Sequence, residues 1–463
     1  MNGLFKTIYN IWGIKELRLK IGVTLGFLLV YRFGAYIPLP GIDPQAISDF
    51  MANINPGAKG LMQILSSFTG GAFNRASVLA LGIMPYISAS IVVQLMGLAL
   101  PYLQRLQKDG ESGRRQINRM TRCLTIGICL VQAPAYLTAL TTQFIPFSSV
   151  SEAYLIDISS TVGRLLFWTV SIVVLTAGTL FTMWLGEKIT DKGIGNGVSL
   201  IIMTGIVARF PDAIAAEVVS RLEVAHGGLI FLFFEGLLWL LVILFCILII
   251  QAVRRVPVQY VRRAQVNTES SSYIRSMTNA VRQYIPLKVI AAGVMPIIFA
   301  QAIMLLPVTL LIYVGNEKLK YMIEIFQNIY GFWYNLVFAV LIIMFTFFYT
   351  AVAIPVNQMA DDLKRNGGHI PRIKPGKETA DFLDDILSKI TLPGSILLTI
   401  IAILPSLIVQ IGVTQGFALF YGGTSLLIVV GVVLDTIQQV DTYLLNHHYD
   451  GLMQNQRSSK NLV

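Results

Sequence analysis

The sequence is poor in charge. Asp, Glu, Lys and Arg make up only 13% of its 463 residues, against about a quarter in an average soluble domain. That scarcity excludes a disordered chain, a coiled coil and the usual soluble multidomain enzyme of this length. Cysteine is also rare. Cys123, Cys129 and Cys246 lie in apolar runs without metal-type spacing, which excludes a disulfide framework or zinc site and leaves three small core hydrophobes. Among the histidines (His226, His369, His447 and His448) there is no HExxH pattern, and no G-x-S-x-G occurs. Gly422-Gly423-Thr424-Ser425 has the look of an intramembrane serine protease, but no histidine stands in an apolar run to activate a serine. KGIGNGVSLII (192–202) lacks the G-x-x-x-x-G-K-[ST] order of a phosphate cradle and follows no strand. It reads as a glycine-rich turn opening a helix, with Asn196 near the cap. An enzyme is not expected, nor is a cofactor.

What the chain has in quantity is apolar sequence, 55% of all residues, plus 38 glycines. A membrane-crossing helix needs about 20 mostly apolar residues, and about ten stretches meet that length. They are 21–40, 76–100, 123–141, 165–186, 194–210, 228–252, 286–314, 333–356, 391–413 and 416–440, the fifth being short and glycine-rich. The amphipathic start, MNGLFKTIYNIWGIKELRLK, has no small-residue cleavage site after a compact apolar core, so no removable signal peptide is expected.

An even number of spans puts both termini on one side, and basic residues choose it. Most of the 35 Lys and Arg residues fall in the N-terminal segment, the loops near 101–122, 253–288 and 357–390, Lys188 and Lys192, and the tail. Fewer lie in the opposite loops, where Arg209 and Arg221 are counted. Both termini are therefore expected in the cytoplasm. Within the spans only Arg32, Glu235 and Asp435 are ionisable, each isolated in sequence, with Arg32 and Asp435 near span ends where snorkelling suffices. A proton or sodium relay of the kind found in pumps finds little support in that set. Span prolines (Pro85, Pro134, Pro296, Pro307, Pro393 and Pro405) suit helices broken or kinked around a cavity.

Three further stretches carry chemistry. In LMQILSSFTGGAFNR (61–75), Leu61, Ile64, Leu65 and Phe68 fall on one face of a short helix, and Gly70-Gly71 supplies a joint. It suits an interfacial helix on lipid or a re-entrant helix in a protein-lined cavity. In GIMPYISASIVVQ (82–94), Ser88, Ser90 and Gln94 are polar side chains that either bond between helices or serve ordinary packing. RRVPVQYVRR (254–263), with Arg254, Arg255, Arg262 and Arg263, and the charged stretch 361–389 form loops longer than topology alone requires. Such basic clusters dock phosphate backbones or acidic partners.

The order GGAFNRASVLALGIMPYISASI, ESGRR (111–115), MWLGEKITDKGIGNGVSLII (183–202), PLKVIAAGVMPIIFA (286–300), IKPGKETADFL (373–383) and YGGTSLLIVVG (421–431) closely resembles the SecY family, the central channel subunits of the bacterial Sec protein translocon. The resemblance implies an all-α polytopic membrane protein with ten transmembrane helices in two pseudo-symmetric five-helix halves, 1–210 and 211–440, around an hourglass channel, followed by a cytoplasmic tail, 441–463. It implies translocation of unfolded secretory polypeptides and sideways release of apolar segments into the bilayer. Matched by motif, the constriction falls on Ile83, Ile87, Val198, Ile202, Ile298 and Ile428, and 61–75 becomes a plug helix. The lateral gate lies between spans two and three and spans seven and eight, with Ser88, Gln94 and Thr121 as its polar contacts. The loops, with Arg372 and Lys374, become docking sites for the SecA motor and for the ribosome with its RNA. Implied partners are also SecE, SecG, signal peptides, secretory preproteins and the lipid bilayer.

The chain departs from the family pattern at Ile290, where many relatives carry asparagine, and in PRIKPG, where Arg372 and Lys374 stand for the glycine and arginine of GIRPG. The loop 253–285 also looks longer than is usual. A second reading of the composition is a small-solute secondary transporter built from inverted repeats.

Overall fold

A computed structural model describes residues 12–43, 66, 69–141, 161–223, 228–260, 283–290, 293–301, 303–304 and 328–460. Helix α1 (Lys15–Gly34) starts ahead of the first expected span and stops before its end. Residues 35–42 turn back instead, because the Leu39 N–H bonds to the Ala76 carbonyl at 2.8 Å and the Val78 N–H to that of Ile37 at 2.9 Å. The second expected span is likewise shortened. Residues 76–83 are turns, and α2 runs Met84–Ala99 with Pro85 in its first turn, where a missing N–H is harmless. Gly82, at φ +55°, makes the entry that an L side chain would resist.

Helix α3 (Pro101–Lys108) leads to α4 (Gly110–Ala139), which carries Pro134 inside it, and to α5 (Thr161–Lys192). A Cβ on Gly178 of α5 would sit 2.2 Å from the Val78 carbonyl oxygen, so glycine is what lets the turn segment 76–83 lie against this helix. Arg122 of α4 grips Glu187 of α5 through two bonds of 3.0 and 2.7 Å. Helix α6 (Gly197–Ala208) is capped as the sequence indicated: the Asn196 carboxamide oxygen accepts from the N–H groups of Val198 and Ser199.

The fifth span is longer than its apolar run. After a turn at Arg209 the chain continues as α7 (Phe210–Glu223), so Arg209 and Arg221 belong to a helical span and not to a loop. Arg221 is tolerated there because it is paired with Glu217 and with Glu235 of α8 (Gly228–Gln251). Glu235, expected from the sequence to be isolated, is therefore paired.

Outside the spans the long loops build a small antiparallel sheet in the order β2-β1-β3, from β1 (Val253–Tyr260), β2 (Gln283–Lys288) and β3 (Gly368–His369). Val253 pairs with Lys288, Val256 with Ile285, and Gln259 with His369. Residues 286–288 thus belong to a strand, and the described helix of the seventh span begins only at 295. Helices α9 (Phe332–Ala353), α10 (Val356–Arg365), α11 (Lys377–Gln410), α12 (Gln415–Ala418) and α13 (Gly423–Lys460) complete the described order. Val256, Val258 and Leu287 of the sheet pack on Leu363, Ile370, Leu383 and Leu387, a separate core that fixes the sheet to α10 and the start of α11.

Among the described residues seven helices are long and apolar enough to cross a membrane, and α2 adds a shorter apolar one over Met84–Gly97. The protein is a multi-pass membrane protein with an all-helical membrane part.

Candidate conducting path

The six aliphatic residues singled out by motif come from four separate elements. Ile83 is the N-cap of α2 and Ile87 lies one turn inside it; Val198 and Ile202 are successive turns of α6; Ile298 lies in the helical stretch 295–301, and Ile428 in α13. One continuous core gathers them. Ile83, Ile87, Ile202, Ile298 and Ile428 are exposed by 2, 8, 3, 9 and 2% respectively, and Val198 packs against the same cluster. Helix α13 packs on α6, which brings chain segments more than 200 residues apart together at this point.

Isoleucine and valine are β-branched, hence stiff, and their side chains carry no polar atoms. A constriction lined by them offers an ion nothing in exchange for its hydration shell, so it dewets and blocks conduction. It also has no hydrogen-bonding preference to satisfy when a polypeptide enters. Each of these residues alone is ordinary core; their convergence from four elements is the feature.

Of the expected plug residues, Leu61, Ile64, Leu65 and Phe68 lie outside the described residues. Gly70 and Gly71 are described, with φ of +65° and +89°. The Gly71 N–H bonds to the Ser66 carbonyl at 2.9 Å, and Gly70 holds the left-handed conformation. Arg32 of α1 then donates from Nη1 to the Gly70 carbonyl at 2.6 Å and from Nη2 to the Tyr36 hydroxyl at 3.1 Å. Snorkelling therefore does not describe Arg32: its guanidinium holds the glycine joint. The only trace of this in the sequence was a lone cation in an apolar run.

Of the three gate residues, Ser88 is half-buried, Gln94 exposed and Thr121 buried. Gln94 donates to Ser90 at 3.4 Å and Thr121 to the Ile117 carbonyl at 3.0 Å, both within their own helices. The hydrogen bonds of Gln94 and Thr121 thus stay within α2 and within α4. Ile290 is buried in the same core as the ring residues.

The basic residues stand on the sheet and its neighbouring turn. Arg254 and Arg255 are exposed on β1, whereas Arg262 and Arg263 lie outside the described residues. Lys374 is exposed beside Glu378, 3.6 Å away. Arg372 has φ +70°, a conformation that glycine adopts freely and an L side chain resists.

The SecY family model matches residues 77–437, most of the chain. The chain is 38% identical over 437 residues to the protein translocase subunit SecY of Aquifex aeolicus, covering 94% of this chain and 96% of that relative. The chain belongs to the SecY family. Its fold matches a solved structure described as a protein conducting channel, with TM-score 0.56 at 16% identity over 91% of both chains. It also matches a chain of the idle yeast Ssh1 complex bound to the yeast 80S ribosome, with TM-score 0.55 at 15% identity over 93% of this chain and 89% of that one. Membership decides between the two readings of the sequence. The chain is a translocase channel subunit and not a solute transporter.

Proposed function

We propose that Ile83, Ile87, Val198, Ile202, Ile298 and Ile428 form the seal of a path that conducts unfolded secretory polypeptides across a bacterial plasma membrane, with both termini in the cytoplasm. The observation that carries this reading is the convergence of these aliphatic residues from α2, α6, 295–301 and α13 in one buried core. The seal parts between the halves 1–210 and 211–440, which hinge between the fifth and sixth spans, and the 61–75 plug closes the side opposite the sheet. Apolar segments leave sideways past Ser88, Gln94 and Thr121. The chain supplies no catalytic group of its own. A bound SecA motor or a translating ribosome, docked on Arg254, Arg255, Arg262, Arg263, Arg372 and Lys374, drives transport, and SecE with SecG completes the channel. Exposed lysine and arginine on a sheet offer ribosomal RNA or an acidic motor surface the charge it needs.

The test places a photo-crosslinking residue at Ile87 in membranes containing these partners, then adds a stalled secretory precursor, the motor and ATP. Crosslinks that form only while the precursor is threaded are expected. A precursor that crosses without touching position 87 refutes the ring; one that crosses with no partner combination refutes conduction by this chain.

A further inference from the structure

The stretch Gly422-Gly423-Thr424-Ser425, to which conduction gives no task, leads into α13. It lines a cavity where the start of that helix meets α9, α11 and the stretch 295–301. Gln301 lines the cavity from 295–301, Pro405 from α11, and the rings of Tyr334 and Phe338 from α9.

Polar groups gather here without bonding one another. Gln301 is only 4% exposed, and its Oε1 is buried without a donor. Leaving such an amide unpaired is costly whichever of its two ends faces the cavity. Gly423, Thr424 and Ser425 are buried at the start of α13, and their N–H groups bond to no described carbonyl or side chain. A helix leaves its first N–H groups without an internal acceptor, so a buried helix start needs one from elsewhere. Opposite, Pro405 has no N–H to give the Ile401 carbonyl, and a Cβ on Gly422 would lie 2.6 Å from that oxygen. Donors from α13 therefore face acceptors from 295–301 and α11.

The occupant that fits must accept from a helix start and donate to an amide oxygen. An anion meets the first demand, but no lysine, arginine or histidine is among the described lining residues, and an unpaired buried charge is strongly unfavourable. Water meets both demands. The space open to the centres of water molecules is about 40 Å³, and at roughly 10–15 Å³ each it holds about three. We propose that this cavity binds a cluster of about three water molecules, which bridges the N–H groups of 423–425 to the Gln301 carboxamide. A water bridge is nearly as favourable as a direct hydrogen bond. Ile298 and Ile428 of the ring lie in the two segments so joined. The cluster thus ties together two of the segments that carry the ring, and the site itself stands whether or not those residues seal a path.

The test is electron cryomicroscopy of the full-length protein in lipid nanodiscs, at a resolution that shows ordered water, joined to radiolytic labelling, in which bound water yields hydroxyl radicals beside the rings it touches. Separate rounded peaks are expected within hydrogen-bonding distance of the Gln301 carboxamide and of the 423–425 N–H groups. Tyr334 and Phe338, exposed by 4 and 6%, should be hydroxylated several-fold more than Phe345, which is 7% exposed in the same core but does not line the cavity. Gln301→Leu, similar in size and without the amide, should bring both rings down to the level of Phe345. The map and the comparison of rings in the wild type decide the matter even where that variant does not fold. A wild-type map without peaks there, one continuous density of an oxyanion or an organic molecule, rings labelled no more than Phe345, or labelling unchanged in a folded Gln301→Leu overturns the proposal.

Discussion

Replacing Arg32 by glutamine tests whether the glycine joint belongs to the closed channel. The guanidinium donates to the Gly70 carbonyl at 2.6 Å. A hydrogen bond from a charged donor contributes about 1.5–3 kcal/mol. If that bond is made only in the closed form, its loss shifts the closed-to-open ratio by about 10- to 150-fold, at roughly 1.4 kcal/mol per decade. The assay is ion conductance of the idle translocase in planar bilayers, with thermal melting as a check that the variant is folded. Gly70→Ala should act in the same direction by a different route: φ is +65°, and the new Cβ would sit 2.9 Å from both Arg32 Nη1 and Gly205 Cα. The left-handed conformation alone costs an alanine about 1–2 kcal/mol. Idle conductance unchanged in a folded Arg32→Gln variant refutes the reasoning, whatever Gly70→Ala does.

Three other substitutions follow from single contacts. Arg372→Gly removes an L side chain from a backbone at φ +70°; it should stabilise the 368–376 turn by about 0.5–1 kcal/mol, the strain relieved less the added freedom of the unfolded chain, and faster hydrogen exchange there would contradict this. Lys374→Glu should abolish motor-dependent translocation while the melting temperature holds, since the exposed pair with Glu378 contributes little to stability; normal transport in vesicles would refute docking at this position. Asn196→Ala strips the cap from α6 and should lower stability by about 1 kcal/mol, measured by denaturant titration; no loss would mean that other groups satisfy the Val198 and Ser199 N–H groups.

The parts of this protein legible in its sequence are those set by local rules. The long apolar run of 228–252 predicts α8 almost to the residue, and Asn196 after a glycine-rich turn predicts the cap of α6. What stayed hidden depends on partners far along the chain. The fifth span seemed to end near 210 because Arg221 resembles a loop residue; it is helical and buried because Glu235, fourteen positions on, meets it. Residues 76–83 are apolar enough for a helix, yet the Ala76 carbonyl and the Val78 N–H bond to Leu39 and Ile37, and the rest of the segment closes local turns. The sheet was read as loop because its strands are short and one partner, Gly368–His369, lies more than 100 residues from β1. Alternation of buried Val256 and Val258 with exposed Pro257 was its one local sign.

The distribution of polar contacts suits the seal proposed for the six aliphatic residues. Ile83, Ile87, Val198 and Ile202 before residue 210 and Ile298 and Ile428 after it belong to one core of aliphatic and aromatic side chains, and dispersion between such side chains falls off smoothly as they separate. Directional contacts between the same two parts are made at the glycine-rich turn and near the start of α1: the Gly195 N–H donates to Gln439 of α13 at 2.8 Å, and Lys20 of α1 contacts Tyr443 of the same helix. Within the first part, the Ile194 N–H donates to Thr24 of α1 at 3.0 Å and Arg32 holds Gly70. Hydrogen bonds are lost over a few tenths of an ångström, so these contacts are suited to defining one closed arrangement. An aliphatic ring can instead open by as much as the passing chain requires. Had the polar contacts been placed at the ring, every residue of a substrate would have had to replace them in turn, and passage would have depended on the substrate's sequence.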